Sequence, residues 1–168
     1  MSFRIGRIMG IDIRIHFTWF FIFVLITWTL AVGFMPQQFP NLSTPVYWVI
    51  GAVSALLLFL SVLFHELFHS YVALKRGIPV PNITLFLFGG VSQIAEEPDS
   101  PDTEFKLAIV GPLSSFALGA VFGVAWLTAQ SLNANPLLVA PLNYGFLINI
   151  LLGVFNLLPA FPLDGGRV

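Results

Sequence analysis

Hydrophobic residues run along this chain in four long blocks separated by short polar intervals. Residues 17–35 (FTWFFIFVLITWTLAVGFM) carry no charge, and they come close to the ~20 residues a helix needs to cross a bilayer. A second block opens with VYWVIGAVSALLLFLSVLF at position 46 and continues to 74, just before Lys75; a third covers 107–130. The fourth follows Pro141 and reaches about Leu158. There Pro159 and Pro162 must break or unwind a helix, because proline gives no N–H and its ring clashes with the preceding turn. The interval between the second and third blocks has another pattern. Ile83 to Phe88 is too short to span as a helix, is rich in β-branched and aromatic residues, and runs into Gly89-Gly90 and then VSQIA. This predicts a short β-hairpin, tolerated at membrane depth only if buried in protein or lining a wet cavity. Glu96 to Glu104 is expected as a solvated acidic loop. The whole pattern predicts an all-α polytopic membrane protein of about four transmembrane helices. A membrane-associated β-hairpin lies between spans two and three, in a single unit covering residues 1–168.

Composition supports a lipid-embedded chain. Of 168 residues, 57% are hydrophobic, 15% aromatic and 9% charged, with a mean hydropathy of +0.91. A soluble domain carries about 25% charged residues, so a water-exposed surface cannot be built from this material. The net charge of −1 implies no nucleic-acid partner. The absence of cysteine excludes disulfides, cysteine-ligated zinc and thiol catalysis. All seven basic residues fall in the N-terminal tail, just after the second block, just before the third, or at the C-terminal end. With four spans those places share one side, which the distribution of Lys and Arg predicts to be cytosolic, with both ends of the segment inside. The first apolar run is too long for a signal-peptide core, and GFMPQQFP follows it in place of a small-residue cleavage site. It reads as a retained span. A prokaryotic cell membrane is the expected location.

Against this apolar background stands LFHELFHSYVALKRG, residues 63–77. On a helix His65 and His69 lie about 40° apart and ~6 Å along the axis, so both imidazoles can reach one ion. Glu66 leans beside that point. This HExxH spacing supplies two nitrogen ligands and a carboxylate placed to take a proton from water. Each residue could instead serve packing alone, as a hydrogen-bonded histidine or an ion-paired glutamate. An unpaired Glu at bilayer depth is costly, however, and no basic residue sits one turn away to neutralise it. A divalent metal accounts for all three groups together.

A hydrolytic zinc site needs a third protein ligand. The candidates are Asp12, His16, Glu96, Glu97, Asp99, Asp102, Glu104 and Asp164. Asp12 and His16 belong to the cytosolic start of the first span, and the acidic loop reads as solvated. Ten residues separate His65 from Lys75, or ~15 Å of helix, and Asp164 just before Arg167 falls in the same half of the membrane. Asp164 is the best third ligand on this argument. Small-residue stripes at four-residue spacing mark Gly111, Ser115, Gly119 and Gly123 in the third block and Gly145, Asn149 and Gly153 in the fourth, a pattern of close helix packing. The Asn149 amide requires a partner in the core. Asn156 continues the second stripe, where it can either stabilise a developing oxyanion or cap carbonyls that the prolines leave unpaired.

HELFH at 65–69 within a span, LFGGV at 87–91, VGPLSSF at 110–116 and NLLPAFPLDGG at 156–166 together resemble the site-2 proteases, zinc metalloproteases that cut within the membrane. The resemblance runs from GIDIRIHFTW to the last residues. It implies one Zn2+ per chain held by His65, His69 and Asp164, with Glu66 as general base and acid. Asn156 matches the family's asparagine ahead of DGG, a catalytic helper. The family carries a small glycine where this chain has Phe68, a side chain expected to crowd the neighbouring helix. Family members commonly continue into further helices or a regulatory domain, so a truncated core is expected here, with regulation supplied by a domain or protein beyond this segment. The expected reaction is hydrolysis of transmembrane segments of single-span proteins near the cytosolic face. The hairpin residues Phe86, Phe88, Gly89, Gly90 and Val91 would offer an edge to an extended substrate. Two other classes stay open: a metal-ion transporter, and a catalytically silent membrane binding protein of the same fold. A different zinc protease would use Glu96 or Glu97 in place of Asp164.

Overall fold

The computed structural model describes residues 1–96, 98, 100–158 and 164. Pro159, Pro162, Gly165, Gly166, Glu97 and Asp99, singled out by the sequence, lie outside the described residues. Among the described residues, four helices are long and apolar enough to cross a membrane: α1 (Thr18–Gln38), α2 (Thr44–Lys75), α3 (Pro101–Ser131) and α4 (Pro136–Asn156). They match the four expected spans. Helix α1 relaxes into a π-helical turn at Leu30–Phe34.

Two helices begin earlier than the apolar pattern predicts. Ser100 caps α3 by accepting from the Thr103 amide at 3.3 Å, and Pro101 fills the first turn, where its missing N–H costs nothing. The segment bearing Asp102 and Glu104 is therefore the opening of α3, not a loop. Two acidic groups near the positive end of a helix dipole are favourable, and Asp102 also pairs with Lys106 at 2.6 Å and Arg76 at 3.7 Å. Likewise Asn135 caps α4 by accepting from the Leu137 amide at 2.9 Å. Pro141 then lies inside α4 and does not start it.

The expected hairpin between spans two and three is present, and the N-terminus adds a second one. Ser2–Ile8 (β1) and Ile11–His16 (β2) form an antiparallel hairpin, joined by Met9 (φ 51) and Gly10 (φ 80). Two positive φ angles in a two-residue turn match the twist of the flanking strands. Asn82–Phe86 (β3) pairs in parallel with β2, and Gly89–Ser92 (β4) closes an antiparallel hairpin with β3. The order β1-β2-β3-β4 leaves β4 at an edge. Ile11, Ile13 and Ile83 on the inner face are buried against Ala73 of α2 and Leu107 of α3. Because the N-terminal hairpin and the α2–α3 connection share this sheet, both lie at the same end of the bundle.

Helix α2 is central. It meets α1 closely at Gly51, where a Cβ would come within 2.9 Å of the Thr27 carbonyl. Between α3 and α4 the small-residue stripes behave as packing surfaces: Gly123 receives Phe146, Gly145 receives Phe122, and Gly153 receives Phe116. Asn149 finds its partners within the bundle, donating to Ser61 Oγ of α2 at 2.9 Å and to the Gly145 carbonyl at 2.8 Å.

Candidate metal centre

His65 and His69 are buried one turn apart on α2, both turned toward α3 and Asp164. His65 Nε2 and His69 Nε2 are 3.1 Å apart, and Asp164 Oδ2 lies 2.9 Å from the first and 3.0 Å from the second. Ligand atoms ~2.0–2.1 Å from a tetrahedral zinc are about 3.3 Å from one another, so this triangle needs only a few tenths of an ångström of expansion to hold the ion. Among the described residues, these three form the group of His, Asp and Glu whose ligand atoms converge in this way.

The other ring nitrogens fix which atoms are free to ligate. His69 Nδ1 sits 2.5 Å from the Leu107 carbonyl, which can only accept, so Nδ1 carries the proton and Nε2 keeps its lone pair. His65 Nδ1 lies 2.9 Å from Ser115 Oγ, a hydroxyl able to accept in the same sense. Such outer partners orient ligating imidazoles and raise their basicity. Both come from α3, so one helix supplies the ligands and the next aims them. An ionised carboxylate and two neutral imidazoles suit a divalent zinc.

Gly111 of α3 closes the third side. A Cβ there would overlap His69 Nε2 and come within 2.6 Å of His65 Nε2. The backbone thus reaches the ligand atoms because position 111 has no side chain. This glycine belongs to the stripe read as simple helix packing, and its neighbours are the Nε2 atoms of His65 and His69 instead.

Glu66 stands beside the triangle. Its carboxylate accepts a 2.7 Å hydrogen bond from Ser92 of β4, and its side-chain stem packs on Gly90, where a Cβ would come within 2.8 Å of Cγ. A cleft of about 160 Å³ holds Glu66, His69 and Asp164 together, walled by Gly90, Val91 and Ser92 on one side and Glu104, Leu107 and Ala108 on the other. Of the hairpin residues expected to meet substrate, Gly90 and Val91 line this cleft, Phe86 and Val91 line a groove on the other face of the sheet, and Phe88 is fully outward. Asn156 Nδ2 donates to the Leu152 carbonyl at 2.9 Å, one turn back within α4. Phe68 does not crowd a helix; it packs at a tilt on Phe64 with ring centroids 4.8 Å apart and is 37% exposed. Asp12 is engaged by Arg4, Arg7 and Arg14 on the sheet, and His16 by Thr18, which removes both from the list of third ligands.

The profile of peptidase family M50 matches residues 53–134 and 122–168, a stretch that contains every part of this centre. The chain belongs to peptidase family M50, the site-2 proteases. The Rip3 protein of Mycobacterium tuberculosis is 39% identical over 98% of this chain and 42% of its own length. Zinc metalloprotease MJ0392 of Methanocaldococcus jannaschii is 39% identical over 99% of this chain and 44% of its own. A solved site-2 protease from the same archaeon superposes with a TM-score of 0.67 at 38% identity, covering 99% of this chain and 69% of that one. The chain therefore spans less than half the length of these two curated relatives. The M50 assignment implies zinc, and the donor set just described fits it. With four apolar helices, this is an integral multi-pass membrane protein.

The motifs led to the converging His65, His69 and Asp164 and to Glu66, but not to what surrounds them. Ser115 was within reach of sequence reasoning, since it lies in VGPLSSF, one turn after Gly111 on the same stripe. Ser92 had a weaker signal, a hydroxyl two residues after Gly90 and so on the same strand face. The Leu107 carbonyl had none.

Proposed function

We propose that this chain is the catalytic core of a zinc-dependent endopeptidase that hydrolyses peptide bonds in transmembrane segments of single-span proteins, near the cytosolic face of a prokaryotic membrane. The observation that carries the reading is the convergence of His65, His69 and Asp164, with Glu66 in the same cleft at the free edge of β4. His65, His69 and Asp164 would hold one zinc per chain. Zinc supplies Lewis acidity toward a carbonyl and lowers the pKa of water. Glu66 takes the proton from the attacking water and delivers it to the leaving amine. Its carboxylate is held to one side by Ser92 and does not join the ligand triangle, which favours hydrolysis over ion transport and over a silent binding role.

A helical substrate has its amides satisfied internally, so it must unwind before its backbone can be attacked. The edge of β4, from Gly89 through Val91, offers backbone groups to an extended segment, which would then cross the cleft. Phe86 and Phe88 would meet its side chains. Asn156 would serve the reacting carbonyl after exchanging its Leu152 bond for substrate. Among the described residues, Arg4, Arg7 and Arg14 lie on the sheet, and Lys75, Arg76 and Lys106 lie at the ends of α2 and α3 that the sheet adjoins, which supports a cytosolic sheet with both ends of the segment inside. Regulation would come from a domain or protein beyond these residues. The test is cleavage of a reconstituted single-span reporter by wild type beside Glu66→Gln. Cleavage by the wild type alone, rising when helix-weakening residues are placed near the cut, is expected. Equal processing by both proteins, or indifference to helix strength, contradicts the proposal.

A further inference from the structure

We propose that Ser92 is a positioning residue that aims the Glu66 carboxylate, making the substrate-docking strand part of the catalytic base's support; this rests on the proteolytic reading. Ser92 Oγ donates to Glu66 Oε2 at 2.7 Å. Ser70 Oγ, fully buried one turn after Glu66, donates to the Glu66 backbone carbonyl at 2.8 Å and packs 3.2 Å from Ser92 Oγ. Strand alternation then explains the local sequence. Gly90 and Ser92 are two apart and project to the same face, the first leaving room for the Glu66 stem and the second reaching its carboxylate.

Glu66 has rotatable bonds between its backbone and the carboxylate, and helix α2 alone does not choose among their rotamers. The choice comes from β4. One oxygen is occupied by Ser92, and the other is left for the reacting water. Since β4 is the edge strand of the sheet, pairing with an extended substrate fixes the same four residues that hold the base. Misplacing a catalytic group by about an ångström can cost on the order of a hundredfold in rate.

The experiment uses the detergent-purified protein, with the single-span reporter and with Glu66→Gln as control. Ser92→Ala should lower kcat about ten- to a hundredfold, the range of a hydrogen bond to a charged group, with KM and the zinc-to-protein ratio unchanged. Ser92→Thr, which keeps the hydroxyl, should recover most of the rate. In zinc-free protein, the melting-temperature losses of Ser92→Ala and Glu66→Ala should be non-additive, because each removes the same bond. Unchanged kcat in Ser92→Ala overturns the proposal. So does a fall in zinc content alongside activity, failure of threonine to rescue, or additive melting losses. If wild type and Glu66→Gln are equally active, the proteolytic reading fails instead, and the melting cycle still decides whether Ser92 holds Glu66.

Discussion

Adding one methyl group at Gly111 would place it where His69 Nε2 already is and within 2.6 Å of His65 Nε2 and His69 Cε1. In an ordinary helix interior, Gly→Ala stabilises by about 1 kcal/mol. Here that gain is set against a clash with two rings that cannot retreat, because His69 is fixed by the Leu107 carbonyl and His65 by Ser115. The methyl also occupies space on the ion's side of the triangle. Disturbing the outer support of a ligating histidine costs 10–100-fold in metal affinity, so displacing both ligand atoms should cost at least a hundredfold, or about 2.7 kcal/mol. Competition with a zinc-buffered chelator measures this directly. Gly33→Ala is the control: no atom lies within 4 Å of a Cβ there, so it should bind zinc as wild type does. A Gly111→Ala protein that binds zinc with wild-type affinity would show that the α3 backbone does not define the site, and the reasoning would be refuted.

Other outcomes follow from the same geometry. Glu66→Gln should retain zinc while losing cleavage by at least a hundredfold, measured as metal content and reporter turnover on one preparation. Ser115→Ala should weaken zinc binding 10–100-fold by releasing the His65 ring, read by chelator competition. Asn149→Ala removes the bond to Ser61 within the bundle. Membrane hydrogen bonds average ≈0.6 kcal/mol and reach about 1.7, so a small loss of thermal stability in detergent is expected, with zinc content unaffected.

Much of the spanning architecture was legible because lipid burial requires long uncharged runs, and four are present. The boundaries of α3 and α4 were less so, since Ser100 and Asn135 set helix starts within polar sequence that hydropathy assigns to loops. The N-terminal hairpin is masked in the sequence for a physical reason. Arginines at 4, 7 and 14 read as a basic tail, yet on a pleated strand they share one face while Ile11 and Ile13 fill the other. The period-2 signal in IDIRIH was present but outweighed by charge. At the site, HExxH and the DGG aspartate pointed to the residues that converge, because metal chemistry restricts residue type and spacing. Gly111, Ser92 and the Leu107 carbonyl act by being near those ligands in space, some 25 to 45 residues away in sequence. No local pattern encodes that proximity.

The claim that α2 and Asp164 form one zinc centre is tested most directly by the zinc-to-protein ratio of purified wild type beside Asp164→Ala. One zinc per wild-type chain, lost or greatly weakened in the variant while the fold persists, is the predicted result. Equal zinc in both proteins would remove Asp164 from the centre and contradict the account.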